Sequence, residues 1–165
     1  MGKRLGDAVI KNLAPIMACA AILSIFMVTR FWGLKVVYGT SMEPAIRGGS
    51  LILTTKEAPE NPEKGQVVLA QASVKGEKPV TVVKRIAAVP GDTVQVMDGR
   101  LYVNGKEELF GKDPIEDPGI AKDPVVLGKE EYFLLGDNVN ESADSRMFGP
   151  VKKEQIKAAF IRGIP

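Results

Sequence analysis

The sequence predicts a mainly β protein, an N-terminal membrane-spanning helix followed by one antiparallel, partly closed, barrel-like catalytic domain. Three observations carry that expectation: one long uncharged apolar run near the N-terminus, a series of short Val/Ile/Leu-rich runs after it, and tight-turn dipeptides between those runs. The division expected is a cytoplasmic N-terminus over 1–11, an anchor over 12–32, and an extracytoplasmic β-rich domain over 33–165.

The anchor is read from Asn12 to Thr29, eighteen residues without a charge, flanked by Lys11 and Arg30. A spanning helix needs about 20 predominantly apolar residues, so the run is just long enough. Phe31 and Trp32 follow where aromatic side chains favour the membrane–water interface. A cleaved signal peptide would need a small-residue site after the apolar core, and Val28–Trp32 offers none. A buried core helix would show a polar face, and this run is apolar all round. Lys3, Arg4 and Lys11 precede the run while Arg30 and Lys35 follow it, a slight positive-inside bias. It favours a single-pass protein of the plasma membrane with its N-terminus in the cytoplasm.

Beyond Gly33 the runs KVVY, SLILTT, QVVLAQA, VTVVKRIAAV, TVQVM, RLYV and EYFLL read as strands. Asp98-Gly99 and Asn104-Gly105 are strong hairpin signals. Residues 56–64 and 111–128 read as surface loops, VKKEQI as a helical turn, and KAAFIRGI as a final strand. Many short strands at close spacing favour an all-β, partly closed barrel-like domain.

Composition narrows the chemistry. A net charge of +2, from 22 basic and 20 acidic residues, with no long basic run, implies no nucleic-acid partner. One cysteine and no histidine exclude an intramolecular disulfide and leave few metal ligands, so the expectation is no metal and no cofactor. Without histidine, a serine nucleophile must find another base.

Three stretches bear on that question. Gly39-Thr40-Ser41-Met42-Glu43-Pro44 puts Ser41 in a polar loop after a strand, where turn chemistry alone also explains a serine. In VTVVKR, Lys84 sits among Val80, Val82, Val83, Ile86 and Val89. An outward lysine on an edge strand is the ordinary reading. Burial instead would lower its pKa and make it a neutral amine able to take a proton from serine. The third stretch, 134–151, reads as a solvated polar loop or as a brace, carrying Ser142 and an Asp144/Arg146 pair.

Taken together, Ser41-Met42-x-Pro44, Val83-Lys84-Arg85 with Pro90-Gly91-Asp92, and Gly136-Asp137-Asn138 with Ser142-x-Asp144-Ser145-Arg146, in that order behind an apolar segment, resemble the type I signal peptidases. The short interval between Lys84 and Gly136 resembles the compact, single-span members. The resemblance implies a membrane-bound serine endopeptidase that removes signal peptides from secretory preproteins after small residues at −1 and −3, with those peptides and the lipid bilayer as partners. It implies Ser41 as nucleophile, Lys84 as general base and Ser142 as the hydroxyl orienting the lysine. Val37, Met42 and Val83 would line the substrate pockets, and Arg85, Asp144 and Arg146 would form supporting ion pairs. The oxyanion hole would use the Ser41 backbone N–H. Gly39 stands where some members carry a second donor hydroxyl. Gly49-Ser50 and Gly65-Gln66 stand where Gly-Asp is frequent, and Val139 where arginine is common. Alternatives of other classes are a Ser-Lys peptidase with a specialised substrate (in conjugation, organelle maturation or LexA-like self-cleavage) and a non-enzymatic anchored β-module. The separation of Ser41 from Lys84 in space discriminates the enzymes from the module.

Overall fold

A computed structural model describes residues 2–73 and 78–164; in its first helix the side chains at 2–12, 14, 27 and 28 fall outside the described set. Helix α1 spans Gly2–Phe31 and passes straight into strand β1 (Trp32–Val36). Its side chains Ile16, Met17, Ile22, Leu23, Ile25 and Phe26 are all exposed. Among the described residues no helix is long and apolar enough to cross a membrane. The uncharged run Asn12–Thr29 lies within α1 but is described only in part, and the side chains of the expected cytoplasmic segment lie outside the described set.

The remaining strands are β2 (Leu51–Thr55), β3 (Val67–Ala72), β4 (Val80–Ala88), β5 (Thr93–Met97), β6 (Arg100–Val103), β7 (Lys106–Glu108), β8 (Val125–Val126), β9 (Glu131–Leu135), β10 (Val151–Lys152) and β11 (Ile156–Ile164). They form two sheets, in the orders β1-β2-β11-β3-β4-β9-β10 and β7-β6-β5-β8, with every paired register antiparallel. The β5–β6 and β6–β7 hairpins turn on Asp98-Gly99 and Asn104-Gly105, whose φ values of 49°, 74°, 53° and 74° place both central residues of each turn in the left-handed region that such tight turns require.

The sheets are antiparallel and mainly β as expected, and they do not close into a barrel. The seven-stranded sheet curls through β11, which pairs β3 with its first half and β2 with its second and carries two register shifts. Such irregularities bend a strand. The curl brings β1 and β4 to opposite walls of one cavity, yet no ladder joins them. β1 pairs only β2, and β9 joins β4 only from Arg85 onward, so Val80–Lys84 pair on one side alone among the described residues. The seam left open between these two edges holds the candidate site.

Smaller differences have local causes. The first strand begins three residues earlier than KVVY predicts, because it continues directly from α1. The turn expected in VKKEQI contracts to a 3₁₀ turn at Lys153–Gln155. The 111–128 loop contains a 3₁₀ turn at Gly119–Lys122 and the two-residue β8. Three apolar clusters stabilise the domain. One, around Val94, Leu101, Phe133 and Leu135, fastens the four-stranded sheet to β4 and β9. A second packs Val37, Met42, Ile46, Ile52 and Leu69 beneath the Ser41 loop. The third holds β3, β4, β9 and β11 together around Val68, Ile86, Leu134 and Ile156.

Candidate active site

The Ser41 loop leaves the large sheet just after β1 and is fixed from two sides. Val37 N donates to Ser50 O, and Gly49 N donates back to Val37 O, closing the loop at its base. Met42, 1% exposed, plugs the loop into the second apolar cluster. Met42 therefore supports the loop from below and does not line the cavity in front of Ser41, because the turn closed by Ile46 N on Met42 O aims its side chain inward.

Across the seam, Lys84 comes from β4, opposite Val68 of β3. Its side chain is only 4% exposed. Lys84 Nζ and Ser41 Oγ lie 2.6 Å apart in a hydrogen bond. Burial pulls the Lys84 amine below its ordinary pKa of 10.5; the carboxylates of Asp144 and Asp137 draw it partly back, and Arg146 adds a small push downward. A neutral amine in that position can accept a proton from the hydroxyl, whereas an ammonium can only donate to its oxygen.

The cavity in front of this pair measures about 350 Å³. Val36, Val37 and Tyr38 line it on one side, and Thr81, Val82 and Val83 on the other, with Leu69 between. Val37 and Val83 thus both face this cavity. Its valines and Leu69 give apolar surface beside the polar Lys35, Ser41, Thr81 and Lys84, and the two flanking strand edges offer unpaired backbone groups, a surface suited to an extended peptide.

The sequence pattern of the family described as Signal peptidase, peptidase S26, matches residues 10–161. The chain belongs to this family of serine peptidases. It is 32% identical over 163 residues to a probable signal peptidase I-2 of Synechocystis, covering 93% of this chain and 73% of that protein. It is 31% identical over 149 residues to a signal peptidase I of Bacillus licheniformis, covering 83% and 78%. Against a signal peptidase IB of Staphylococcus aureus it is 30% identical over 164 residues, covering 88% and 82%. A solved signal peptidase I from Enterococcus faecalis V583 overlays with a TM-score of 0.47 at 24% identity, over 62% of this chain and 98% of that one. Signal-peptide removal by a serine peptidase is the activity this membership supports.

In this signal peptidase the third motif grips the first. Asn138 N donates to Ser41 O at 3.0 Å, and Asn138 Nδ2 donates to Thr40 O at 3.3 Å. Asp137 takes both Nε and Nη2 of Arg85, at 2.7 and 2.6 Å. The charges of Arg85, Asp144 and Arg146 form two separate ion pairs, Arg85–Asp137 and Arg146–Asp144. Arg85 faces Leu135 across the β4–β9 ladder, which sets it beside Asp137 and away from Asp144. Neither Asp137 nor Asn138 receives a role from the sequence, although both belong to the quoted Gly-Asp-Asn box.

Arg146 and Asp144 are 4% and 0% exposed. Arg146 Nε and Nη2 each donate to the Asp144 carboxylate at 2.9 Å. Nη1 donates to Asp117 O, and Nη2 also to Val139 O and Ser142 O. Asp144 further accepts from Gly136 N and Arg146 N, and the Ser145 hydroxyl accepts from Leu134 N. One guanidinium thereby ties the 139–146 loop to itself and to Asp117, behind the Ser41–Lys84 pair. Ser142 Oγ is buried and has no hydrogen-bond partner, Lys84 included. It lies against Gly136, where an added Cβ would stand 2.2 Å from Ser142 Oγ and 2.5 Å from Ser41 O. No group of three or more metal-ligating side chains occurs among the described residues.

Proposed function

We propose that this signal peptidase cleaves secretory preproteins by a serine–lysine mechanism, with Ser41 as nucleophile and Lys84 as general base. The 2.6 Å contact between Ser41 Oγ and the buried Lys84 Nζ carries this reading. Neutral Lys84 takes the Ser41 proton as Oγ attacks the scissile carbonyl. The proton passes to the leaving amine, giving an acyl-enzyme and releasing the mature chain. Lys84 then takes a proton from water, whose hydroxide attacks the ester and frees the signal peptide, and the proton returns to Ser41.

Ser142 is the positioning hydroxyl: its unpartnered Oγ supplies the lone pair that holds the Lys84 amine when it carries the proton. The Ser41 N–H serves the oxyanion. Since residue 39 is glycine, no hydroxyl stands two residues before the nucleophile, so a second donor comes from backbone or water. Val37 and Val83 in the cavity wall, with Met42 behind, favour small side chains at −1 and −3. Helix α1, whose described apolar side chains lie exposed on every side, anchors the chain through residues 12–32. The segment 1–11 stays in the cytoplasm, and 33–165 stands at the outer face of the plasma membrane, where translocated preproteins emerge.

The test is processing of a secretory preprotein by the full chain in detergent or lipid. Ser41→Ala and Lys84→Ala each abolish cleavage. Lys84→Arg fails as well, since a guanidinium stays protonated near neutral pH. Robust processing by Lys84→Arg would eliminate the dyad. Activity of the wild type rises with pH as Lys84 loses its proton, and burial brings that rise below the ordinary lysine value.

A further inference from the structure

The cavity that holds the dyad continues past its own end. A second cavity of about 580 Å³ opens beyond it, and Lys35, Leu69 and Thr81 line both. The second cavity follows β1 backward past Leu34 and Trp32 to Thr29, near the end of α1. Thr81 stands three residues before Lys84 on β4, and Lys35 six before Ser41, so both walls lead away from the dyad toward their N-terminal ends. A strand advances about 3.3 Å per residue, so the four steps from Val36 back to Trp32 cover about 13 Å. An extended peptide with its −1 carbonyl at Ser41 and its −3 side chain in the first cavity therefore enters the second with about the next four residues, −4 to −7.

The lining defines what those residues can be. Trp32, Leu34, Leu69 and Ala158 offer apolar surface, and Trp32 and Leu34 are 45% and 58% exposed. Lys35, Lys56 and Lys157 also line the cavity, and none of its lining residues is acidic. Two of the lysines are held in place: Lys56 Nζ donates to Thr29 O, and Lys157 Nζ to Glu154 O. An apolar side chain gains burial here, while a basic one meets three like charges at close range.

We propose that this second cavity is a binding site for apolar substrate residues at −4 to −7, and that its lysines reject basic side chains there. The proposal rests on the serine–lysine reading of the first cavity, and the continuity of the two cavities identifies the occupant. The experiment uses the full chain in detergent with peptides that share one cleavage site and one mature segment. Their N-termini lie at −4 or −8, and −5 and −6 are leucine or lysine.

The expected result is about a tenfold rise in kcat/KM from the −4 to the −8 leucine peptide, the order given by partly burying one or two leucines. The lysine peptide loses that gain, and Lys35→Glu with Lys157→Glu narrows the leucine-to-lysine ratio to about threefold or less. Trp32, the only tryptophan of the chain, reports occupancy without turnover: in Ser41→Ala its emission shifts with the −8 leucine peptide and not with the −4 peptide. Equal kcat/KM for the two lengths, or a ratio unmoved by the double substitution, overturns the proposal. Failure to cleave any peptide removes the serine–lysine reading, and the second site with it.

Discussion

Replacing Arg146 by leucine isolates the most heavily connected charge behind the dyad. Asp144 is fully buried and would lose both guanidinium donors, keeping only Gly136 N and Arg146 N, each at 3.2 Å. The carbonyls of Asp117, Val139 and Ser142 would each lose a donor as well. Stranding one member of a buried ion pair costs about 3–5 kcal/mol, and the carbonyls push the cost toward the upper end. With a urea m-value of about 2 kcal/mol/M, the unfolding midpoint falls by about 2 M. Circular dichroism of the full chain in detergent, followed against urea, reads that shift. Arg85→Leu is the internal control. Its side chain is 29% exposed and its partner Asp137 13%, so solvent compensates and the loss stays near about 1 kcal/mol. The double change Asp144→Leu with Arg146→Leu removes the stranded charge and recovers part of the loss. Equal midpoints for Arg146→Leu and Arg85→Leu, or a double variant no more stable than Arg146→Leu alone, would refute the reasoning.

Lys84→Met tests the cost of the proposed base. Lys84 has a folded pKa below 10.5, so between the two values the unfolded chain binds more protons and stability rises with pH, by about 1.4 kcal/mol per unit for one full proton. Lys84→Met flattens that slope and is the more stable protein at neutral pH, as urea midpoints across the window will report; an unchanged slope assigns the titration elsewhere. Gly136→Ala places a methyl 2.2 Å from Ser142 Oγ and 2.5 Å from Ser41 O, so preprotein cleavage falls by at least about 10²-fold and stability by about 1–3 kcal/mol. Wild-type activity in Gly136→Ala would deny the tight fit. Asn138→Ala removes the side-chain bond to Thr40 O but keeps the backbone bond to Ser41 O, which lowers kcat several-fold and stability by about 1 kcal/mol; a kcat equal to wild type means the backbone bond alone holds the loop.

How much of this was legible in the sequence differs by level. Strand positions follow local signals, and Asp98-Gly99 and Asn104-Gly105 specify their hairpins outright, because few residue pairs tolerate positive φ twice in succession. The pairing of distant strands follows no local signal. Arg85 could be assigned to Asp144 or Asp137 only by knowing that β4 lies beside β9 with Arg85 opposite Leu135. The resemblance implies Met42 as a pocket residue, yet the turn closed by Ile46 N sends it into the core. How far the barrel-like sheet closes stays open in the sequence for a related reason: strand count and spacing say nothing of whether the last pair of edges meets. The Ser41–Lys84 proximity was reached through motif order, since 43 residues separate the two and no periodicity connects them.

The four-stranded sheet leaves the large sheet after β4 and returns at β9, two strands that pair with each other directly. Its entrance and exit are therefore neighbours, and chain can be added or removed between them with little strain on the dyad. The freedom is uneven. Pro114 O accepts from Asn140 Nδ2, Asp117 O accepts from Arg146, and Gly119 lies so close that an added Cβ would stand 2.2 Å from Arg146 O. Lengthening the β5–β6–β7 hairpins should thus be tolerated, while insertion within 114–119 should not. Length variation among such peptidases has a physical outlet at the hairpin tips and a fixed boundary at the segment that braces Arg146.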